Sequence, residues 1–174
     1  WLHLRRASLA ASVTKVPRTR PWSLPNSARL TDNEVMETIL VGIDDSPNAR
    51  RALRWALDHA HEGDEVVAVH VWHMPPVGGF EPTFLDPAMF EEGARQTARD
   101  VVADVVTDDE ADRVSIRVVG GHASGSLVDE GRSADLLVMG ARGRGGFAGL
   151  VLGSVTTGVV NHAPCPVVIV PPTD

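Results

Sequence analysis

Residues 134–156 read ADLLVMGARGRGGFAGLVLGSVT. The opening ADLLVMG (Ala134–Gly140) is a short apolar run closed by glycine, the pattern of a strand buried on both faces. From Ser154 the sequence SVTTGVVNHA turns helical. A glycine-rich loop joins the two, Gly140 to Gly153. A buried strand, a glycine loop and a helix, in that order, form half of a parallel βαβ unit.

The same alternation extends outward on both sides. PVVIV (Pro166–Val170) follows as the last strand, and PPTD stops it. Upstream, TILVGID (Thr38–Asp44) is another continuous apolar strand. SPNARRALRWALDHAH follows, with Ser46 as N-cap, Pro47 in the first turn, an apolar face of Ala49, Ala52, Leu53, Ala56, Leu57 and Ala60, and Gly63 as the stop signal. EVVAVHVW (Glu65–Trp72) is the second strand. The Met74–Pro87 connection is rich in Pro and Gly and long for a compact domain. A helix is expected from about Pro87 to Thr107. A solvated acidic turn (Asp108–Asp112) precedes a third strand with Val114, Ile116 and Val118 alternating. A short helix over Ser124–Ser133, N-capped by Ser124, leads back to Ala134. Five strands alternating with four helices predict an α/β fold: one open parallel sheet with helices on both faces, joined by right-handed crossovers. Ligands of such sheets sit outside the carboxyl ends of the strands, where the strand order reverses. Asp44 and the glycine loop both fall on that rim.

Composition narrows the function. The 174 residues carry a net charge of −7 and only 5% aromatics, with no Tyr. That argues against a nucleic-acid partner, which needs positive charge and stacking platforms. A single Cys excludes a disulfide scaffold or Cys-rich metal site, and points to a reducing, cytoplasmic compartment. No apolar run reaches the roughly 18–20 residues that span a bilayer, so no membrane partner is expected.

The charge is unevenly spread. Residues 1–35 hold six basic residues against two acids, giving +4. The remainder holds ten Arg, no Lys and 21 acids, giving −11. The basic segment has three prolines and no steady apolar period, so it reads as a disordered arm ahead of a domain at 36–172. The chain begins with Trp1, and Met36 stands just before the first strand. The arm therefore reads as upstream or non-native sequence, with an organelle-type targeting segment as the rival.

Gly140, Gly143 and Gly153 are spaced G-x2-G-x9-G, with Ser154 next. Glycines allow positive φ and close backbone approach to an anion. The helix opening at Ser154 offers free N–H groups and a favourable dipole. The hydroxyls of Ser154 and Thr156, and the guanidinium groups of Arg142 and Arg144, can add bonds to phosphate oxygens. The loop thus predicts a phosphate cradle. A Walker loop is excluded, because no Lys follows Lys15. GRGGFA (Gly143–Ala148) fits G-x-G-x-x-A only formally: it does not follow its strand directly, and no acid lies at the right distance to hold a ribose. No protein-kinase set is present.

ILVGIDDS, VVAVHVW, LLVMGARGRGGFAGLVLGSVT and HAPCPVVIV together resemble the universal stress protein family, over about residues 36–172. The G-x2-G-x9-G-[ST] pattern resembles its nucleotide-binding branch. The resemblance implies an adenine-nucleotide alpha hydrolase-like, Rossmann-like sheet of strand order 3-2-1-4-5. It also implies roles for particular residues. Asp44 would bond the ribose hydroxyls, with Gly42 and Ile43 beside it. Val71 would meet adenine through its backbone, and Met139 and Gly140 would lie near the nucleoside. Ala141, Arg142 and Gly143 would wrap the phosphates, and Gly153, Ser154, Val155 and Thr156 would hold the terminal ones. Ala123 departs from the proline frequent in relatives. The family commonly pairs its last strand in a twofold dimer, and an apolar sheet edge also wants covering, so a homodimer through Pro166–Val170 is expected.

Other residues tempt less. Asp45 is expected to serve the helix start rather than to share a metal with Asp44. His59 and His61 close a helix, His70 and His73 diverge about a strand end, and none has ligand spacing for zinc. A Mg²⁺ ion bridging the phosphates needs few protein ligands. Cys165, between two prolines, reads as a small buried hydrophobe, and Trp55 and Trp72 as packing residues. G-x-S-x-G is absent, so Ser124 and Ser126 are not hydrolase nucleophiles. The expected activity is ATP-dependent sensing in a stress response, without catalysis beyond weak hydrolysis. The alternatives are a slow ATPase or phosphotransferase, a cyclic AMP receptor, and a nucleotide-free scaffold.

Overall fold

A computed structural model describes residues 37–74, 86–144 and 151–172. The 1–35 arm, most of the Met74–Pro87 connection and residues 145–150 of the glycine loop lie outside them. Strands and helices alternate as β1 (Thr38–Ile43), α1 (Pro47–His59), β2 (Glu65–Trp72), α2 (Pro87–Ala103), β3 (Val114–Gly120), α3 (Ala123–Glu130), β4 (Leu136–Gly140), α4 (Ser154–His162) and β5 (Val167–Val170). The strands form one parallel sheet in the order β3-β2-β1-β4-β5. That is the expected topology, and it places the reversal of strand order between β1 and β4.

The period of two along the strands separates two cores. Ile39, Val41 and Ile43 of β1 face one side with Val66, Ala68 and Val138, where Ala49, Ala52, Leu53, Ala56 and Leu57 of α1 and Ala98 and Val101 of α2 cover them. Leu40 faces the other side with Val67, Val69, Leu137 and Met139, under Leu127 of α3 and Val159 of α4. Both faces of β1, β2 and β4 are buried, so these strands are apolar throughout, whereas the outer strand β3 alternates. Gly42 leaves a gap in β1. A Cβ there would stand 3.1 Å from Leu127 Cδ1, so its absence seats the α3 side chain against the sheet.

Helix starts follow their caps. Ser46 accepts the Ala49 amide at 3.2 Å and Pro47 follows in the first turn. Asp86 caps α2 through the Ala88 amide at 2.9 Å. Four details differ from expectation. First, α1 closes at Ala60, three residues before the expected stop signal, and Gly63 takes φ +96° in the turn leading to β2. Second, α2 stops at Ala103 instead of Thr107. The amides of Val105 and Val106 both turn back to the Val102 carbonyl, which tucks these two valines against the core. Third, α3 starts at Ala123 after His122. Ser124 is therefore inside the first turn, its hydroxyl 3.1 Å from the His122 Nδ1, and does not cap the helix.

Fourth, the acidic turn is not simply solvated. Glu110 receives both terminal nitrogens of Arg54, one at 2.9 Å, and also the Thr107 amide at 3.1 Å and hydroxyl at 2.8 Å. The Arg54 hydrogen bonds, then the Thr107 amide, lower its carboxyl pKa to about 2. This bidentate pair ties α1 to the turn before β3. Trp55 packs against the core and stacks on His59 at 4.0 Å between ring centroids. Trp72 lies against Gly120, within 3.2 Å of where a Cβ would be. Cys165 is half-buried against the α3/α4 core, and burial pushes its thiol pKa up.

Candidate functional site

A cavity of about 540 Å³ opens at the carboxyl rim of the sheet, where β1 and β4 part. Of the thirteen residues singled out in the sequence, twelve line it: Gly42, Ile43 and Asp44 from β1 and its exit, Val71 from β2, Met139 and Gly140 from β4, Arg142 and Gly143 from the loop, and Gly153, Ser154, Val155 and Thr156 from the start of α4. Its inner wall is apolar, built by Val69, Val71, Leu127 and Met139, and its mouth is polar. An apolar floor with a few convergent polar groups is the usual form of a small-molecule site.

Ala141 is the exception. It is buried, its amide donates to the Val170 carbonyl at 2.9 Å, and its carbonyl accepts the Gly153 amide at 2.8 Å. Its backbone is spent on joining β4, β5 and the start of α4 beneath the cavity. Gly153 likewise gives its amide to the fold. The amides of Ser154, Val155 and Thr156 have no carbonyl to reach within α4, as at any helix start, and they face the cavity mouth with the positive end of the dipole. The Thr156 hydroxyl donates to the Gly140 carbonyl at 3.0 Å in a buried bond. What Thr156 can offer an anion is therefore its backbone N–H.

Asp44 is held from two sides. Its Oδ1 accepts the Ser46 amide at 3.1 Å and the Ser46 hydroxyl, and its Oδ2 accepts the Arg144 amide at 3.0 Å. The Arg144 side chain pairs with Asp45. Asp45 thus reaches across to the glycine loop, and the hydrogen-bonded cap of α1 is Ser46. Among the described residues, the Arg142 guanidinium pairs with no carboxylate, which leaves it the more available cation at the cavity.

Gly140, Gly143 and Gly153 are not used for positive φ. Among the described glycines only Gly63 and Gly121 have it. Gly140 and Gly143 are needed for space. A Cβ on Gly140 would lie 2.8–2.9 Å from Asn48 atoms, and one on Gly143 would lie 2.5 Å from Asp44 Oδ2. Val71 sits one residue beyond the last β1 partner, since Ile43 pairs with His70. The Trp72 carbonyl turns to β3, accepting the Gly121 amide at 2.8 Å, so the Val71 backbone turns the other way, towards the crevice. The His70 Nδ1 lies 3.0 Å from the Ile43 carbonyl, which makes that nitrogen the donor. Among the described residues no three His, Cys, Asp or Glu side chains cluster to hold a metal.

Sequence reasoning missed the part played by α1. Ser46 holds Asp44 as well as capping, and Asn48 donates from its side-chain amide to the Arg142 carbonyl at 2.8 Å. Their signal was present but was consumed by the helix-start reading. A Ser two residues after an Asp can close an Asx-type turn.

The fold and the cavity together define a parallel α/β protein with an anion-suited helix start at its topological switch point. The chain belongs to the universal stress protein family, whose sequence model matches residues 36–171. It is 35% identical over 143 residues to a universal stress protein of Mycolicibacterium smegmatis, covering 77% of this chain and 45% of that protein. It is 33% identical over 142 residues to one of Thermus aquaticus, covering 78% of this chain and 99% of that protein. The chain thus spans about half the length of its mycobacterial relatives and nearly all of the Thermus one. Among solved structures, a universal stress family protein from Burkholderia pseudomallei superimposes with a TM-score of 0.55 at 27% identity, covering 80% of this chain and 99% of that one. No described helix is long and apolar enough to cross a membrane.

Proposed function

We propose that this chain binds an adenine nucleotide, ATP with Mg²⁺, in the rim cavity and acts as a nucleotide-dependent regulator of a stress response. The observation that carries the reading is convergence: the Asp44 carboxylate, the Gly140–Gly143 turn and the α4 N-terminus open onto one cavity with an apolar floor. The base fits the Val69, Val71, Leu127 and Met139 wall, the ribose fits the Asp44 side, and the phosphates fit the α4 amides and Arg142. Magnesium, when bound, would neutralise phosphate charge, and the phosphates themselves would supply most of its ligands. Hydrolysis is not part of the proposal, because the one carboxylate in the described cavity lining is Asp44, on the ribose side.

A homodimer through the β5 edge belongs to the same proposal. Its support is that β5 ends the sheet and all four of its residues are only half-buried in the single chain. Native mass spectrometry with and without Mg-ATP tests both points. The expected result is a dimer carrying one ATP per subunit. A protein that stays empty at millimolar ATP overturns the nucleotide reading, and displacement of ATP by cyclic AMP would reassign the ligand.

A further inference from the structure

We infer that Asn48, on the first turn of α1, is the positioning residue of the glycine loop and sets how well the loop receives phosphate. The inference rests on the nucleotide reading of the same cavity. The Asn48 side-chain NH₂ donates to the Arg142 carbonyl at 2.8 Å. The Asn48 oxygen accepts from the Arg51 guanidinium, which also donates to the Pro171 carbonyl at 3.1 Å. A guanidinium can only donate, so it forces the amide oxygen to face Arg51 and leaves the NH₂ for Arg142. The flipped amide would set donor against donor and acceptor against acceptor. The orientation of Asn48 is thus fixed by a second side chain, itself anchored where β5 ends.

The reach of Asn48 depends on Gly140. A side chain there would collide with Asn48 Cβ at 2.8 Å and with its backbone carbon and oxygen at 2.9 Å. The glycine at 140 is therefore what lets α1 come close enough for one short amide side chain to grip the loop two residues further on. With the Arg142 carbonyl held, the chain turns through Gly143 and brings the Arg144 amide onto Asp44 at 3.0 Å. Holding a loop in its binding geometry beforehand removes ordering cost from the ligand. Asn48 does not line the cavity and acts through Arg142.

Two variants of the full chain test this. Asn48→Ala keeps the Cβ and removes the amide. Asn48→Asp keeps an acceptor for Arg51 and places an acid near a helix start, which favours α1, but cannot donate to Arg142. Hydrogen exchange of peptides spanning 140–144 is expected to speed up severalfold in both, with α1 around Leu53 and Ala56 unchanged. ATP affinity of Asn48→Ala is expected to fall about fivefold, the worth of one neutral hydrogen bond, while adenosine affinity stays the same. Unchanged exchange at 140–144 would overturn the inference, as would a uniform rise across α1 and β4. So would equal loss of ATP and adenosine affinity. A wild-type chain that binds neither ligand defeats the nucleotide reading instead, and the exchange data still decide whether Asn48 holds the loop.

Discussion

Gly140→Ala and Gly143→Ala change the same loop by the same methyl group, yet the structure separates them. At Gly140 the new Cβ meets Asn48 Cβ at 2.8 Å and the Asn48 backbone carbon and oxygen at 2.9 Å. Ordinary carbon contacts lie at about 3.5–4.0 Å. Relief needs several tenths of an ångström of movement by the α1 backbone, whose Ala49, Ala52 and Leu53 are fixed in the core. Overpacking of this kind costs about 1–3 kcal/mol, and a backbone obstacle places it near the upper end. At Gly143 the obstacle is Asp44 Oδ2 at 2.5 Å, the tip of a side chain that can rotate aside by giving up the exposed Arg144 amide bond, at a cost of about 1 kcal/mol. Urea unfolding read with a constant slope gives the stability difference directly. A thermal scan should put Gly140→Ala lower than Gly143→Ala by about 5–10 °C. The order should invert for binding per unit of stability, because moving Asp44 disturbs the ribose side without unfolding anything. Equal stability of the two variants would refute the assignment of Gly140 to close packing against α1.

Two further outcomes follow from the Arg54–Glu110 pair and from the β5 edge. Glu110 has its folded pKa lowered to about 2, chiefly by the Arg54 hydrogen bonds, from its ordinary value of 4.5. A depressed carboxyl stabilises the fold above its unfolded pKa and loses that contribution as pH falls towards the folded one, so the loss runs between about pH 4.5 and pH 2. Glu110→Gln should cost about 1–2 kcal/mol at pH 7, discounted because the Arg54 side chain is 36% exposed, and the deficit should vanish at the acid end of that window in parallel urea titrations. At β5, the carbonyls of Pro166 and Val170 face β4, accepting the amides of Leu137 and Ala141 at 3.0 and 2.9 Å. By alternation the backbone groups of Val167 and Ile169 face the open edge. Ile169→Pro removes an outward N–H without removing a bond to β4, so it should leave a folded monomer where wild type is a dimer in native mass spectrometry, and an unaltered dimer would count against the edge.

The sheet was legible because its inner strands β1, β2 and β4 are apolar on both faces, β3 alternates, and α1 and α4 begin with readable signals. Continuous runs such as TILVGI and LLVMG have no reading as half-exposed strands, and Ser46-Pro47 and Gly153-Ser154 mark helix starts. Boundaries set by tertiary packing were not legible. Val105 and Val106 continue the apolar period of α2, and only their packing against the core shows why the helix stops before them. The site was legible as a set of residues and illegible as a set of bonds. The G-x2-G-x9-G spacing places Gly140, Gly143 and Gly153, but does not say that Gly140 makes room for Asn48 and Gly143 for Asp44. Nor does it say that the Thr156 hydroxyl is turned inward to Gly140. The first two depend on Asn48 in α1 and on Asp44 just before it, which lie 94 and 100 residues from their loop partners in sequence and adjacent in space. The same distance hid Glu110, whose partner Arg54 lies 56 residues earlier.

The occupancy of Asp44 leads to a sharper expectation for the ligand. An ionised carboxylate has about four acceptor positions. Three are filled by protein: the Ser46 amide and hydroxyl on Oδ1 and the Arg144 amide on Oδ2. One position remains, so Asp44 can accept one ribose hydroxyl without giving up a bond it already makes. A second hydroxyl would have to displace the Arg144 amide, and with it the turn at Gly143 that closes the phosphate side. Of 2′-deoxy-ATP and 3′-deoxy-ATP, one should therefore bind like ATP and the other roughly 10–150-fold more weakly, the range for losing a hydrogen bond to a charged group. Competition against a fluorescent ATP analogue measures both. Comparable large losses for the two analogues would mean that both hydroxyls reach the carboxylate and that the Arg144 amide lets go on binding. Faster exchange of that amide in the ATP complex would then be seen as well.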